Sequence, residues 1–126
     1  MGMKIHESAE DYLETILILS QKGISVRSID VVNEMDFTKP SVSVAMKKLR
    51  ESGYVNVDGD GHITLTPEGR VIAEKMLERH NYISNLLMEL GVDRETALAD
   101  ACRIEHVISE QSFEAIKRLG ILYSKK

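Results

Sequence analysis

The sequence predicts a mainly α-helical chain: an N-terminal winged helix-turn-helix with a small β-hairpin wing, followed by a helical dimerisation lobe. Three observations carry that prediction. Apolar residues recur at helical spacing along most of the chain. The period changes to alternation only between Gly53 and Thr66, around the turn sequence Asp58-Gly59-Asp60-Gly61. Helix-starting residues stand ahead of the apolar stripes, and glycines follow several of them.

The first helix reads from about Ser8 to Ser20. Ser8 and Asp11 are spaced as a capping box, Ala9, Tyr12, Leu13, Ile16 and Leu17 form the apolar stripe, and Gly23 ends it. A second helix runs from about Ser28 to Met35 with Ile29, Val32 and Met35 inward, and Asp36-Phe37-Thr38 is a turn. In the third helix Thr38 is the cap, Pro40 sits in the first turn, and Gly53 is the stop after about Ser52. Tyr54–Val57 and His62–Leu65 alternate, which gives a short hairpin with a four-residue loop. Thr66-Pro67-Glu68 opens a long helix that carries Ile72, Met76, His80, Ile83, Leu87 and Leu90 on one face and stops at Gly91. A fifth helix spans about Asp93 to Val107, and a sixth runs from Ser109 to Gly120. The two lobes divide as residues 1–70 and 71–126.

Composition narrows the function. At 126 residues the chain is long enough for one real core, or for two small lobes that share one. No apolar run suits a bilayer, and the start, MGMKIHES, has no signal-peptide core. Cys102 is the one cysteine, so no internal disulfide forms, and a lone thiol among carboxylates and histidines fits a reducing cytoplasm. Neither a membrane partner nor an organic cofactor is expected. A net charge of −4 argues against a generic nucleic-acid coat protein. A DNA reader with this balance must concentrate its lysines and arginines on one surface.

The third helix meets that requirement. Val42, Ala45, Met46 and Leu49 form the stripe that packs on the first two helices, and the opposite face carries Ser41, Ser43, Val44, Lys47 and Lys48. Such a helix suits a major groove: small hydroxyls permit close approach, lysines neutralise phosphates, and Val44 matches a thymine methyl. Any one of these lysines alone reads as solvated helix face. Arg27, Ser28, Thr38, Lys39, Pro40, Ser41, Ser43, Val44, Lys47 and Lys48 together, ahead of a wing, read as a surface for double-stranded DNA. His62 on the hairpin reads as exposed rather than as a minor-groove contact.

A second constellation lies in the other half. Cys102, Glu105 and His106 stand at i, i+3 and i+4, on one side of the fifth helix. A thiolate, a carboxylate and an imidazole on one face are first-row metal ligands. Asp11 and Glu14 share a face of the first helix, and His80 lies on the apolar side of the fourth, where a polar group needs a partner. Taken singly, His80 reads as a hydrogen-bonded core histidine, Asp11 as a capping acid, Glu14 as a surface acid and Cys102 as a small buried hydrophobe. The completeness of the set favours a metal.

The chain resembles the diphtheria-toxin-repressor and manganese-transport-regulator family of metal-dependent repressors. The resemblance rests on Glu10-Asp11-Tyr12-Leu13-Glu14, Lys39-Pro40-Ser41-Val42-Ser43, Leu65-Thr66-Pro67-Glu68-Gly69, Arg79-His80, and the run from Ala101 to Ser109. These stretches span nearly the whole chain. The resemblance implies Asp11, Glu14, His80, Cys102, Glu105 and His106 as metal ligands, with Mn(II) or Fe(II) as the metal and Co(II) or Zn(II) as alternatives. It also implies repression of metal-uptake genes. The ligand set is a hybrid. Asp11 and Glu14 match the manganese branch, which has Glu where Cys102 stands. Cys102 matches the iron branch, which has Met where Asp11 stands. Ser84 and Leu98 occupy positions of the iron branch's second site, so that site is expected to be absent, as is the SH3-like third domain.

Apolar side chains Ile104, Val107, Ile108, Phe113 and Ile116 on the last two helices exceed what so small a lobe covers alone, so a two-fold homodimer is expected. A metallohydrolase fits less well, because the ligands leave no obvious open position and no separate nucleophile stands nearby. A winged-helix regulator that answers an organic ligand or a partner protein, with the polar cluster purely structural, is the remaining alternative.

Overall fold

The computed structural model describes the backbone of residues 2–124 and the side chains of residues 8–119. The elements are α1 (Gly2–Gln21), α2 (Ser28–Met35), α3 (Lys39–Glu51), β1 (Val55–Val57), β2 (Ile63–Leu65), α4 (Pro67–Glu89), α5 (Arg94–Val107) and α6 (Glu110–Ser124). They form two compact units, Met1–Lys75 and Met76–Lys126, which divide inside α4.

In the first unit, apolar stripes of three short helices and one face of the hairpin close on each other. Leu13, Ile16 and Leu17 of α1, Val31 of α2, Val42 of α3 and Val55 of β1 are almost fully buried. Each such side chain contributes about 1.5–3 kcal/mol. Thr38 caps α3 as the sequence predicts: its hydroxyl oxygen accepts from the Ser41 amide at 3.3 Å. The Ile63 amide donates to the Val26 carbonyl at 2.8 Å, which ties the wing to the segment ahead of α2.

Several local expectations are corrected. The α1 helix runs straight through Ser8, so the Ser8–Asp11 capping box does not form; no helix breaker follows Gly2 in this stretch. On α2, Val31 is the buried residue, while Ile29 is 45% exposed. An eight-residue helix shows too few turns for its apolar residues to define one face, and the Arg27 amide bond to Asp30 at 2.8 Å helps set its start. In the wing, Val55 pairs with Leu65 and Val57 with Ile63. Asp58 and His62 then close a loop of three residues, not four, with Gly61 at φ 84° supplying its left-handed turn. Asp58 accepts from the His62 and Asp60 amides at 2.9 Å, the first of which does most to hold its carboxyl below the ordinary range. Finally, α6 continues past Gly120 to Ser124, since a glycine inside a helix costs only about 1 kcal/mol.

Gly69, in the first turn of α4, has a steric reason to be glycine. A Cβ there would sit 2.0 Å from the Tyr54 carbonyl oxygen, a backbone atom that also accepts from the Thr66 amide at 3.0 Å. Gly69→Ala is expected to force wing and helix apart and to destabilise the first unit by about 3 kcal/mol. The measurement is thermal unfolding, with a fall in Tm on the order of 10 °C; an unchanged Tm would show that the close approach is dispensable.

The second unit packs α4, α5 and α6 around Ile83, Ala101 and Phe113, with Tyr82, Leu87, Ile104 and Ile108 against them. Phe113, expected on an uncovered face, is 1% exposed and meets Tyr82 edge-on at 6.0 Å, so it belongs to this core. Val107 on α5 and Leu119 on α6 are the exposed apolar residues of these two helices among the described ones, at 61% and 44%. Leu90, expected inward, is exposed because it follows the last residue of α4, where the chain turns through Gly91. Asp93 caps α5 by accepting from the Thr96 amide at 3.0 Å and its hydroxyl at 2.9 Å. These bonds, the amide first, lower its carboxyl below the ordinary range. The cap therefore holds above that range and is lost as pH falls through the lowered value. Among the described residues, no helix is long and apolar enough to cross a membrane.

Candidate metal centre and DNA-reading helix

The second unit gathers three of the predicted ligands around one carboxylate. Glu105 is fully buried. His80, which needed a partner on the apolar side of α4, donates from Nδ1 to Glu105 Oε1 at 2.8 Å. That bond orients the ring, as a hydrogen bond to the second ring nitrogen does in metal-binding histidines. His106 Nε2 lies 3.7 Å from Glu105 Oε2, with its side chain 5% exposed. A buried carboxylate between two imidazoles is costly to desolvate. It is also a donor set of the kind that holds Mn(II), Fe(II) or Zn(II), so these residues fit a divalent metal.

Cys102 lies one helical turn before His106 and is exposed. It thus stands at the outer end of the ligand face of α5, rather than being the buried small residue its type suggests. In the first unit, Asp11 is half-buried and Glu14 is 7% exposed, one turn apart on α1. Ser84 is buried and donates to the Asn81 carbonyl at 3.2 Å. The wing turn holds a further group, Asp58, Asp60 and His62, whose donor atoms lie within 4.8 Å of one another. Its hydrogen bonds are those of the turn itself.

Sequence reasoning assigned no role to Arg79. It is 5% exposed, and its guanidinium donates to the carbonyls of Glu105 at 3.0 Å and Ile108 at 2.9 Å. In the sequence it stood out only as a charged residue beside His80, in the pair Arg79-His80 that helps carry the family resemblance.

On α3, Lys39, Pro40, Ser41, Ser43, Val44, Lys47 and Lys48 are all exposed, as are Thr38 ahead of it and Arg27 at the start of α2; Ser28 is half-buried. Val44 is 55% exposed, unusual for valine on a solvated face. The Thr38 and Ser41 hydroxyls engage each other, Thr38 donating to Ser41 Oγ at 2.8 Å. A cavity of about 580 Å³ opens beside this face, between α1 and α3, with Tyr12, Pro40, Ser41, Val44 and Lys48 among its lining residues.

Comparison with known proteins matches both halves. Residues 4–63 match the iron dependent repressor N-terminal DNA binding domain, and residues 66–120 match the iron dependent repressor metal binding and dimerisation domain. The chain is 35% identical to an uncharacterised HTH-type transcriptional regulator of Methanocaldococcus jannaschii, over 88% of this chain and 90% of the relative. It is 32% identical to the transcriptional regulator MntR of Salmonella typhimurium, over 86% of this chain and 69% of that protein. The iron-dependent repressor IdeR of Mycobacterium tuberculosis is 33% identical over 82% of this chain, which spans 46% of that longer protein. Among solved structures, a manganese-dependent transcriptional repressor in complex with manganese superposes with a TM-score of 0.79 at 29% identity, over 89% of this chain and 52% of that one. These relatives are transcriptional regulators rather than enzymes. The chain belongs to the diphtheria-toxin-repressor and manganese-transport-regulator family of metal-dependent transcriptional repressors.

Proposed function

We propose that this chain is a homodimeric, cytoplasmic repressor whose grip on double-stranded operator DNA tightens when it binds a divalent transition metal. Mn(II) and Fe(II) are the first candidates, with Co(II) and Zn(II) as alternatives. The observation that supports this most is the fully buried Glu105 carboxylate between His80 and His106, in a chain of a metal-dependent family.

The proposed ligands are Asp11, Glu14, His80, Cys102, Glu105 and His106. A bound cation would supply the positive charge that balances these carboxylates and the Cys102 thiolate. Asp11 and Glu14 belong to the unit that contains α3, and the other four belong to the second unit. A ligand set divided in this way couples the units, so that metal binding favours one arrangement of the reading helices. In a dimer, two copies of α3 must meet successive major grooves about 34–36 Å apart. Ser41, Ser43 and Val44 then face base edges, and Lys39, Lys47 and Lys48 neutralise phosphates. Ile104, Val107, Ile108 and Ile116 supply apolar surface for the partner copy.

The test is an operator titration by fluorescence anisotropy, under chelation and with each of the four metals. Coupling of this kind is typically about 1–3 kcal/mol, so at least one metal should raise affinity roughly 5–150-fold, with two chains per pseudo-palindromic operator. Equal affinity with and without every metal would contradict the proposal.

A further inference from the structure

The ligand end of α5 is held from an unexpected side. A helix leaves its last carbonyls without internal partners. In α5 the Ile104 carbonyl is capped by the Ile108 amide at 3.0 Å. The chain leaves the helix at Ile108, whose backbone is extended, and the carbonyls of Glu105 and Ile108 here meet Arg79. One nitrogen, Nη1, donates both to the Glu105 carbonyl and to the Ile108 carbonyl. The other, Nη2, lies 3.6 Å from Glu110 Oε2 at the start of α6, and the guanidinium sits 5.5 Å over the Phe113 ring. A cation is also favoured at a helix C-terminus by the helix dipole.

Two consecutive residues of α4 therefore grip one residue of α5. His80 holds the Glu105 carboxylate and Arg79 holds its main-chain carbonyl. Together these bonds fix the rotation of α5 about its axis, and with it the direction of Glu105 and His106. Stability alone is a poor reason for an arginine here. Its Nε finds no hydrogen-bond partner among the described residues, although it is buried. A buried charge commonly breaks even at best against an apolar side chain of similar length.

We propose that Arg79 is a positioning residue for the metal centre: it clamps the C-terminal turn of α5 so that Glu105 and His106 are preset to receive the cation. This rests on the metal-binding reading above and adds to it a residue outside the ligand set. Replacing partners that orient metal ligands typically costs about 10–100-fold in affinity.

The experiment uses the full chain with Co(II) as a spectroscopic probe and a competing chelator for affinity. Arg79→Met removes both carbonyl bonds, and Arg79→Lys keeps the charge and the stem but not the fork. Ile83→Val, in the core of the same unit and outside the proposed ligand set, serves as a control that costs about 1 kcal/mol. The expected result is a fall in Co(II) affinity of about 10–100-fold for Arg79→Met and a smaller fall for Arg79→Lys. Both should shift the visible Co(II) bands, while Ile83→Val lowers Tm and leaves the bands in place. If neither Arg79 variant changes affinity or spectrum more than Ile83→Val does, Arg79 is only structural and the proposal is overturned, with the metal-binding reading intact. If wild type itself gives no Co(II) bands and no binding, both fail together.

Discussion

The Glu105→Gln protein is expected to fold normally and to lose its response to metal. Glutamine keeps an oxygen at the position where His80 donates at 2.8 Å, so the His80 donor keeps its acceptor. It replaces a carboxylate that has no solvent exposure, whose burial in the charged form costs several kcal/mol, and the cost of the new buried amide N–H groups offsets that gain. Apo stability should therefore stay within about 1 kcal/mol of wild type. An amide is a poor ligand for a divalent cation compared with a carboxylate. The loss in metal affinity should exceed the roughly 100-fold upper range of substitutions that only orient ligands. Chemical denaturation without metal and a chelator-competition titration measure the two quantities separately. Wild-type affinity in Glu105→Gln would remove the buried carboxylate from the metal centre.

Cys102 is expected to set which metal the protein answers. Mixed carboxylates and imidazoles suit Mn(II) and Fe(II), and a thiolate draws the preference toward Fe(II), Co(II) or Zn(II). Its exposed position on α5 leaves it open to substitution without disturbing the core. Cys102→Glu should raise the Mn(II) response relative to Fe(II) and Zn(II). Cys102→Ala should weaken every metal, by roughly tenfold or more, about 1.4 kcal/mol per factor of ten. A thiol must shed its proton to bind, so wild-type affinity should also fall as pH drops, more steeply than that of Cys102→Ala. Operator-binding activation curves for each metal, in wild type and both variants across pH, read these effects. If Cys102→Ala leaves every curve unchanged, Cys102 is no ligand.

What was legible in the sequence follows from how local each signal is. The Thr38 cap and the helix start near Asp93 depend on residues three positions apart, and the structure has both, with Asp93 itself acting as a cap. The hairpin was legible from its alternation, but not its loop. Gly61 takes the left-handed conformation that closes three residues instead of four, and Gly59 was an equal candidate by type. The ends of α1 and α6 were misplaced because Ser8 and Gly120 mark boundaries only where the chain actually stops, and both sit inside helices. Phe113 read as uncovered because the sequence does not show Ile83 and Ala101 closing over it. At the proposed metal centre, donor types and helical spacing singled out Glu105 and His106, and the polarity of His80 announced a partner. Arg79 stayed hidden because its partners are main-chain carbonyls, whose availability depends on where α5 ends rather than on any side chain.

That metal and operator act on one coupled system is tested most directly by measuring metal affinity twice, with the protein free and with saturating operator. Linkage requires that operator tighten the metal by the same factor by which the metal tightens the operator. The expected result is a gain in Mn(II) or Fe(II) affinity on the operator of roughly 5–150-fold, equal to the ratio of operator affinities with and without that metal. A metal affinity that operator DNA leaves unchanged would contradict it.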